Sequence, residues 1–264
     1  MGVELVRANS GFSLIELMVV LLLLGLVSSL VLRVGIIALE SHRLQASRAQ
    51  LQSSLRLGVS LLASELRELG GDGLNGGDVV ELDATSITYR AMRNASFLCR
   101  SPDSRRREIV VWAQPSYGLR RLEANRDSVL IFAENDPVIS SDNEWLRAAV
   151  VSRGGGSVCP GGRDGVRLGL VGVPGSLLTG VQRGAPVRGF QVSRLLYYED
   201  RQSTGWLGLR EWRGGSGWSV TQPVLGPLAP DGLRLEYLDA TGRTTERAGS
   251  VAVIAVTLVA QSAS

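Results

Sequence analysis

The chain has one long run of apolar residues near its N-terminus, and no other run of comparable length. Residues 12–32 number 21, and as a helix they would extend about 30 Å, the thickness of one hydrocarbon core. The apolar stretch near the other end, Val251–Ala260, has ten residues and runs into polar ones. The pattern therefore predicts one transmembrane helix, at residues 12–32.

One carboxylate lies inside this apolar segment. Glu16 is the single charged residue between Arg7 and Arg33, although an acidic side chain at the middle of a bilayer costs about 2.5 to 3.5 kcal/mol. Either Glu16 reaches the headgroups at the cytoplasmic end of the span, or a cation of another chain neutralises it. Cleavage between Gly11 and Phe12 would create an α-amine four residues earlier, on nearly the same helical face. Stacked copies could then pair the two charges.

A stripe of apolar residues and one glycine follows the apolar run at helical spacing. Its members are Leu44, Leu51, Leu55, Gly58, Leu62, Leu66 and Leu69. No proline precedes Pro102, so we expect an unbroken helix from about Phe12 to Leu69, ended by the glycine-rich residues 70–73. A globular head or a coiled-coil partner would bury the stripe. The head is favoured, because the heptad pattern is short and places Gly58 in its seam.

The rest of the chain has the pattern of β-strands. Short segments rich in β-branched, leucine and aromatic residues alternate with clusters of turn residues. These segments are residues 79–90, 108–113, 129–133, 166–171, 190–198, 206–212, 233–238 and 251–259. Residues 105–107 and 153–162 are expected to form long loops or an inserted lobe. The fold class is therefore predicted as α+β, with a long N-terminal helix packed on an antiparallel sheet.

The sequence Gly11-Phe12-Ser13-Leu14-Ile15-Glu16, followed by the apolar block, resembles the class III signal of type IV prepilins and type II secretion pseudopilins. The resemblance implies that prepilin peptidase cleaves after Gly11 and methylates the new N-terminus at Phe12, and that Glu16 docks the subunit into a filament. It implies a leader at 1–11, a transmembrane and filament-core helix at 12–32, an amphipathic helix at 33–70 and an exported β-rich head at 71–264. A secretory signal peptide is the alternative, but residues 28–36 fit its cleavage pattern poorly.

The last third of the chain is similar to PilW-type minor pilins, and also to the J-type minor pseudopilin of type II secretion. The segments that carry this similarity are residues 195–198, 207–211, 223–225, 233–237 and 251–259. The resemblance implies a minor pilin of a type IV pilus, held in the inner membrane by one span with its head in the periplasm or outside. The implied partners are prepilin peptidase, other minor and major pilins, the inner-membrane assembly platform and membrane lipid.

Two further function classes remain open. The 28 basic side chains are all arginine and nearly balance 25 acidic ones, so general nucleic-acid binding is weakly supported. Arg105–Arg107 or Arg120-Arg121 could still form a patch of a pilus-tip module that binds DNA or an anionic surface. A tethered periplasmic enzyme is the other class.

The sequence gives little support to catalysis or to a bound cofactor. His42 is the only histidine and falls on the long helix, so the head lacks a Ser-His-Asp or Cys-His arrangement and a common zinc spacing. Residues 71–76 match G-x-G-x-x-G but follow a helix instead of a strand. Acidic loops could bind calcium, although they do not fit the twelve-residue loop pattern; they contain Asp127, Glu134, Asp136, Asp142 and Glu144. We predict no catalytic residue, metal or cofactor, and no enzymatic activity.

Cys99 and Cys159 are the only cysteines, and an exported head favours a disulfide between them. The bond would close a loop of about 60 residues, which the chain-entropy relation values at roughly 4 kcal/mol. Two separate buried thiols are the alternative.

Overall fold

The computed structural model describes residues 14–70, 77–118, 120–135 and 138–261. Two compact units are present, residues 1–52 and 53–264, and each is described by itself. Gly11, Phe12 and the motif at residues 71–76 lie outside the described residues.

One helix, α1 (Leu14–Arg67), begins in the first unit and ends in the second. Its length agrees with the predicted helix, since no proline interrupts it and strong helix formers dominate. After its last turn, the N–H of Leu69 donates to the carbonyl of Leu66 at 3.3 Å. The next residue, Gly70, accepts a hydrogen bond at its carbonyl from the N–H of Asp78 at 3.0 Å. The helix therefore ends where the glycines predict.

The described residues of the second unit form ten strands in one antiparallel sheet. They are β1 (Val79–Asp83), β2 (Ser86–Phe97), β3 (Glu108–Trp112), β4 (Ser128–Ala133), β5 (Glu144–Val158), β6 (Asp164–Val171), β7 (Pro186–Glu199), β8 (Gly205–Glu211), β9 (Gln222–Leu238) and β10 (Val253–Ala260). The main strand order is β10-β9-β8-β7-β4-β5-β6-β3. The other edge of β7 pairs with β2, which in turn pairs with β1. The predicted α+β class, with a long helix and an antiparallel sheet, is confirmed.

The strands differ from the prediction in two regions. Residues 79–90 form parts of two strands, because Asp83 accepts hydrogen bonds from the N–H and the hydroxyl of Thr85, at 2.9 and 3.0 Å, and turns the chain. The sequence predicts no strand at residues 144–152 and a long loop or inserted lobe at residues 153–162, but residues 144–158 form β5. The pairing of β5 with β6 shifts register between Gly154 and Ser157, so the glycines form an irregularity within a strand.

The end of α1 packs on the sheet through the predicted stripe. Leu62 and Gly58 are buried, and a second core cluster joins Leu62 to residues of β1, β2 and β7–β10. A Cβ on Gly58 would lie 2.5 Å from a methyl carbon of Leu225, so glycine permits the close approach of helix and β9. A separate core cluster is centred on β3–β6. The side chain of Leu44, the first stripe residue, is outside the description.

The sheet contains a buried tyrosine, Tyr237, and the pH dependence of stability tests how this side chain is packed. The hydroxyl of Tyr237 lies 2.9 Å from the carbonyl oxygen of Asp83 and 3.0 Å from that of Ser86. Burial raises the pKa of Tyr237 to about 12. A raised tyrosine pKa means that the fold favours the neutral form, so this contribution to stability is complete below pH 10 and is lost between pH 10 and 12.

We therefore expect the free energy of unfolding to fall between pH 10 and 12, measured by denaturant titration at each pH. Tyr237→Phe should reduce this fall without abolishing it, because burial also raises the pKa of Tyr89. An equally steep fall in the Phe variant would contradict the assignment to Tyr237.

Candidate functional site

In the described part of the first unit, the side chains of an apolar helix are exposed. Every described residue from 14 to 43 of α1 is exposed, including leucine, valine and isoleucine side chains on all sides of the helix. An 18-residue window reaches a mean hydropathy of 2.7, and among the described residues this is the one helix long and apolar enough to cross a membrane. Such a surface needs lipid or other apolar helices around it.

Glu16 lies in the first turn of this helix. The free N–H groups and dipole at a helix start favour a negative charge there. The next charged residue of α1 is Arg33, about 25 Å further along the helix axis. No cation of the described part of the first unit can therefore reach the Glu16 carboxylate. Gly11 and Phe12, the predicted cleavage pair, fall outside the described residues, so their roles remain predictions.

A buried carboxylate, which sequence reasoning missed, fixes the chain just after α1. The Asp78 carboxylate accepts hydrogen bonds from the N–H of Gly70 at 2.7 Å and from Arg188 of β7 at 3.2 Å. Glu65 of α1 adds an ion pair with Arg93 of β2 at 3.2 Å. These contacts hold residues 65–70 against the sheet. The sequence carries no local signal for them, because Asp78 and Arg188 are 110 residues apart.

A disulfide joins Cys99 to Cys159, with Cα atoms 5.6 Å apart. Cys99 follows β2 and Cys159 follows β5, so the bond links the ends of two strands. Both cysteines are buried with Val110, and Trp112 packs against them. The structure thus has the paired arrangement, and not the two separate thiols.

The two arginine runs, Arg105–Arg107 and Arg120-Arg121, differ in whether their guanidinium groups are already paired within the fold. Arg120 is held by Asp127 in a two-pronged contact of 2.6 and 2.7 Å, and the Asp127 side chain is completely buried. Arg120 therefore serves the fold and has no free guanidinium for DNA. Arg121 and Arg105–Arg107 are exposed, and their role in an anionic patch remains a prediction.

The described residues of the acidic loops do not form a metal site. In residues 14–70, 77–118, 120–135 and 138–261, no group of three or more His, Cys, Asp or Glu side chains could hold a metal ion. Asp127 is paired with Arg120, and Asp136 lies outside the described residues. His42 is exposed on α1 in the first unit.

Comparison with known proteins gives one finding, at the N-terminus. Residues 6–32 match the family model described as the prokaryotic N-terminal methylation motif. The match includes Gly11, Phe12 and Glu16. No curated protein and no solved structure is significantly similar to the chain. The motif indicates a type IV pilin-like or pseudopilin substrate of prepilin peptidase, and proteins with this signal are structural and not catalytic. The predicted class III signal is therefore confirmed: the chain carries the N-terminal signal of type IV pilin-like proteins.

Proposed function

We propose that this protein is a minor pilin of a type IV pilus, made as a prepilin and assembled through its N-terminal helix. The observation that carries the proposal is a single carboxylate, Glu16, inside an exposed apolar helix that directly follows a prepilin-type cleavage motif. An anchor that only holds a protein in a membrane has no use for that charge. A subunit that binds a neighbouring subunit through this helix can use the charge to form an ion pair with it.

Processing supplies the missing cation. Prepilin peptidase cleaves after Gly11 and methylates the new amine of Phe12, which remains protonated and positively charged. At 4 Å and an effective dielectric constant of 20, two unit charges attract by about 4 kcal/mol. This attraction is of the same size as the roughly 2.5 to 3.5 kcal/mol that a lone acidic side chain costs in the bilayer. Pairing Glu16 of one subunit with Phe12 of its neighbour offsets that cost and sets the register between subunits.

The remaining segments take the roles that follow from this assembly. Residues 1–11 are the leader, residues 12–32 the transmembrane and filament-core helix, residues 33–70 the amphipathic helix, and residues 71–264 the exported head. The protein sits in the inner membrane with one span and places its head in the periplasm or outside. There it primes or caps the filament with other minor and major pilins on the inner-membrane assembly platform. The head of about 190 residues is too large for the repeating shaft subunit.

A minor pseudopilin of type II secretion is the second candidate, because the matched motif occurs in both machines. Deletion of the gene distinguishes them. Loss of surface pili with normal secretion supports the pilus, whereas loss of secreted enzymes with normal piliation assigns the chain to the secretion system.

The mass of the N-terminal peptide, measured on the chain extracted from membranes, tests the processing step. We expect a peptide that begins at Phe12 and carries one methyl group on its amine. Gly11→Val provides the control, since a branched side chain at the cleavage site should leave Met1 in place. A wild-type peptide that begins at Met1, or one that begins beyond residue 28 as after signal-peptide cleavage, would overturn the proposal.

A further inference from the structure

Three arginine side chains of the second unit lie on the face of the sheet that is opposite to its two core clusters. Leu130 of β4 pairs with Arg147 of β5 on one side and with Arg188 of β7 on the other. Residues directly opposite each other in a sheet share a face, so the two arginines flank Leu130 with their Cα atoms about 10 Å apart. Arg90 of β2 pairs with Val192 of β7, on the same face as Arg188.

Aromatic rings hold two of these arginines in position. The guanidinium carbon of Arg188 lies 5.8 Å from the ring centroid of Trp145, and that of Arg90 lies 5.9 Å from the ring centroid of Phe190. Trp145 in turn makes an edge-to-face contact with Phe132, with 5.3 Å between the ring centroids. Cation–π contacts orient a guanidinium group without neutralising its charge. Both arginines are therefore oriented by their surroundings and remain positively charged.

Positive charge exceeds negative charge in this cluster. In the described part of the chain, one carboxylate, that of Asp78, contacts it. This carboxylate forms an ion pair with Arg188 at 3.2 Å, and the backbone N–H of Arg90 donates to the carbonyl of Asp78 at 2.7 Å. Arg147 is exposed and has no carboxylate partner among the described residues. Three arginines and one aspartate carry +3 and −1, which leaves a net charge of +2.

The excess charge is concentrated at a partly buried place. Arg90 is only 9% exposed, and its guanidinium donates to the carbonyl of Gly77, a partner without net charge. Burial lowers the pKa of Arg90, and repulsion from the Arg147 guanidinium lowers it further. Like charges held close together in a site of low dielectric constant cost free energy, which a bound anion would offset.

We propose that Arg147 and Arg188, together with the charge of Arg90, form a binding site for a phosphate monoester. Such a group carries a charge of about −1.5 to −2 at pH 7 and presents three acceptor oxygens, which matches the charge of the cluster. Guanidinium groups donate to phosphate oxygens in a planar fork. A carboxylate or a phosphate diester carries a single negative charge and would leave half of the excess uncompensated. All of these residues belong to the second unit, so the site does not depend on the role of the N-terminal helix.

The test titrates the full chain in detergent with methyl phosphate, by isothermal titration calorimetry, with dimethyl phosphate as the diester control. We expect saturable binding of methyl phosphate at millimolar concentration. Dimethyl phosphate should bind about tenfold more weakly or not at all, since it has one charge and two blocked oxygens.

The pH dependence of binding identifies the charge state that the site selects. The second proton of a monoester leaves with a pKa of about 6, so about a tenth of the ligand is dianionic at about pH 5 and nearly all of it at about pH 7.5. The affinity for methyl phosphate should therefore fall about tenfold between these two values. Sulfate is dianionic at both and should bind equally at both, because arginine stays charged and the only histidine, His42, lies outside the second unit.

Two further titrations distinguish the molecules that could carry the group. Glucose 6-phosphate is a soluble monoester, and phosphatidic acid in mixed micelles is a lipid monoester. Affinities equal to that of methyl phosphate assign the group to a soluble ester, whereas tighter binding of phosphatidic acid alone assigns it to a lipid headgroup.

Two glutamine variants separate the site from general attraction to a basic protein. Arg147→Gln removes an exposed guanidinium of the site and should weaken binding of methyl phosphate by at least about tenfold, the value of a charge-assisted hydrogen bond. Arg153→Gln changes another exposed arginine of β5, about 20 Å further along the strand, and should leave binding unchanged. The proposal is overturned if methyl phosphate does not bind, if the diester binds equally, if sulfate shows the same pH dependence, or if both variants behave alike.

Discussion

Replacing Glu16 with alanine is expected to lower the amount of this protein in sheared filament fractions at least thirtyfold. The Glu16–Phe12 pair between neighbouring subunits is expected to stabilise the filament by about 2 kcal/mol, half of the full attraction between the two charges. Since 1.36 kcal/mol corresponds to a factor of ten, losing the pair lowers incorporation about thirtyfold. Immunoblots of filament and membrane fractions from the same cells measure it. The membrane pool should rise as the filament pool falls.

Poor membrane insertion cannot explain such a loss, because a neutral residue at position 16 makes the span more apolar. Cleavage should also persist, and the N-terminal mass of the variant verifies it. Glu40→Gln is the matched control, since Glu40 is the next carboxylate of α1 and is exposed beyond the apolar run. Filaments that contain the Glu16→Ala protein at the wild-type level would show that the carboxylate has no part in assembly.

The features that the sequence could predict are those with a local pattern. The helix was predictable because its apolar run, its stripe around Leu62 and its glycine-rich end all recur at short spacing. The cleavage motif was recognisable for the same reason, since Gly11, Phe12 and Glu16 stand within six residues. Most strands were found from their short apolar runs between turn residues.

The features that were missed depend on partners far away in the chain. No part of β5 was predicted as a strand. Its end looked like a loop because Gly154–Gly156 has no side chains to pack, and its pairing with β6 is a tertiary contact. Arg120 looked like part of a basic patch, because the buried carboxylate of Asp127 that holds it is visible only in the fold.

Removal of the disulfide is expected to lower the free energy of unfolding of the second unit by about 4 kcal/mol. Cys99 and Cys159 are 60 residues apart, and closing a loop of this length restricts the unfolded chain by about that amount. A typical domain has only 5 to 15 kcal/mol of stability, so the loss is severe. Guanidinium titration of the double variant Cys99→Ala/Cys159→Ala in detergent, followed by tryptophan fluorescence, measures it.

Reduced wild-type protein is the matched comparison, because it keeps both buried sulfur atoms and loses only the bond. If the cross-link acts through the unfolded chain, reduced wild type and double variant should be destabilised by similar amounts, with the variant slightly worse for its lost packing against Val110 and Trp112. If reduction leaves the midpoint unchanged while the double variant is destabilised, the two cysteines stabilise the head by packing and not by the bond. An unchanged midpoint in both would show that β2 and β5 are held together without them, through the sheet contacts of β4 and β7.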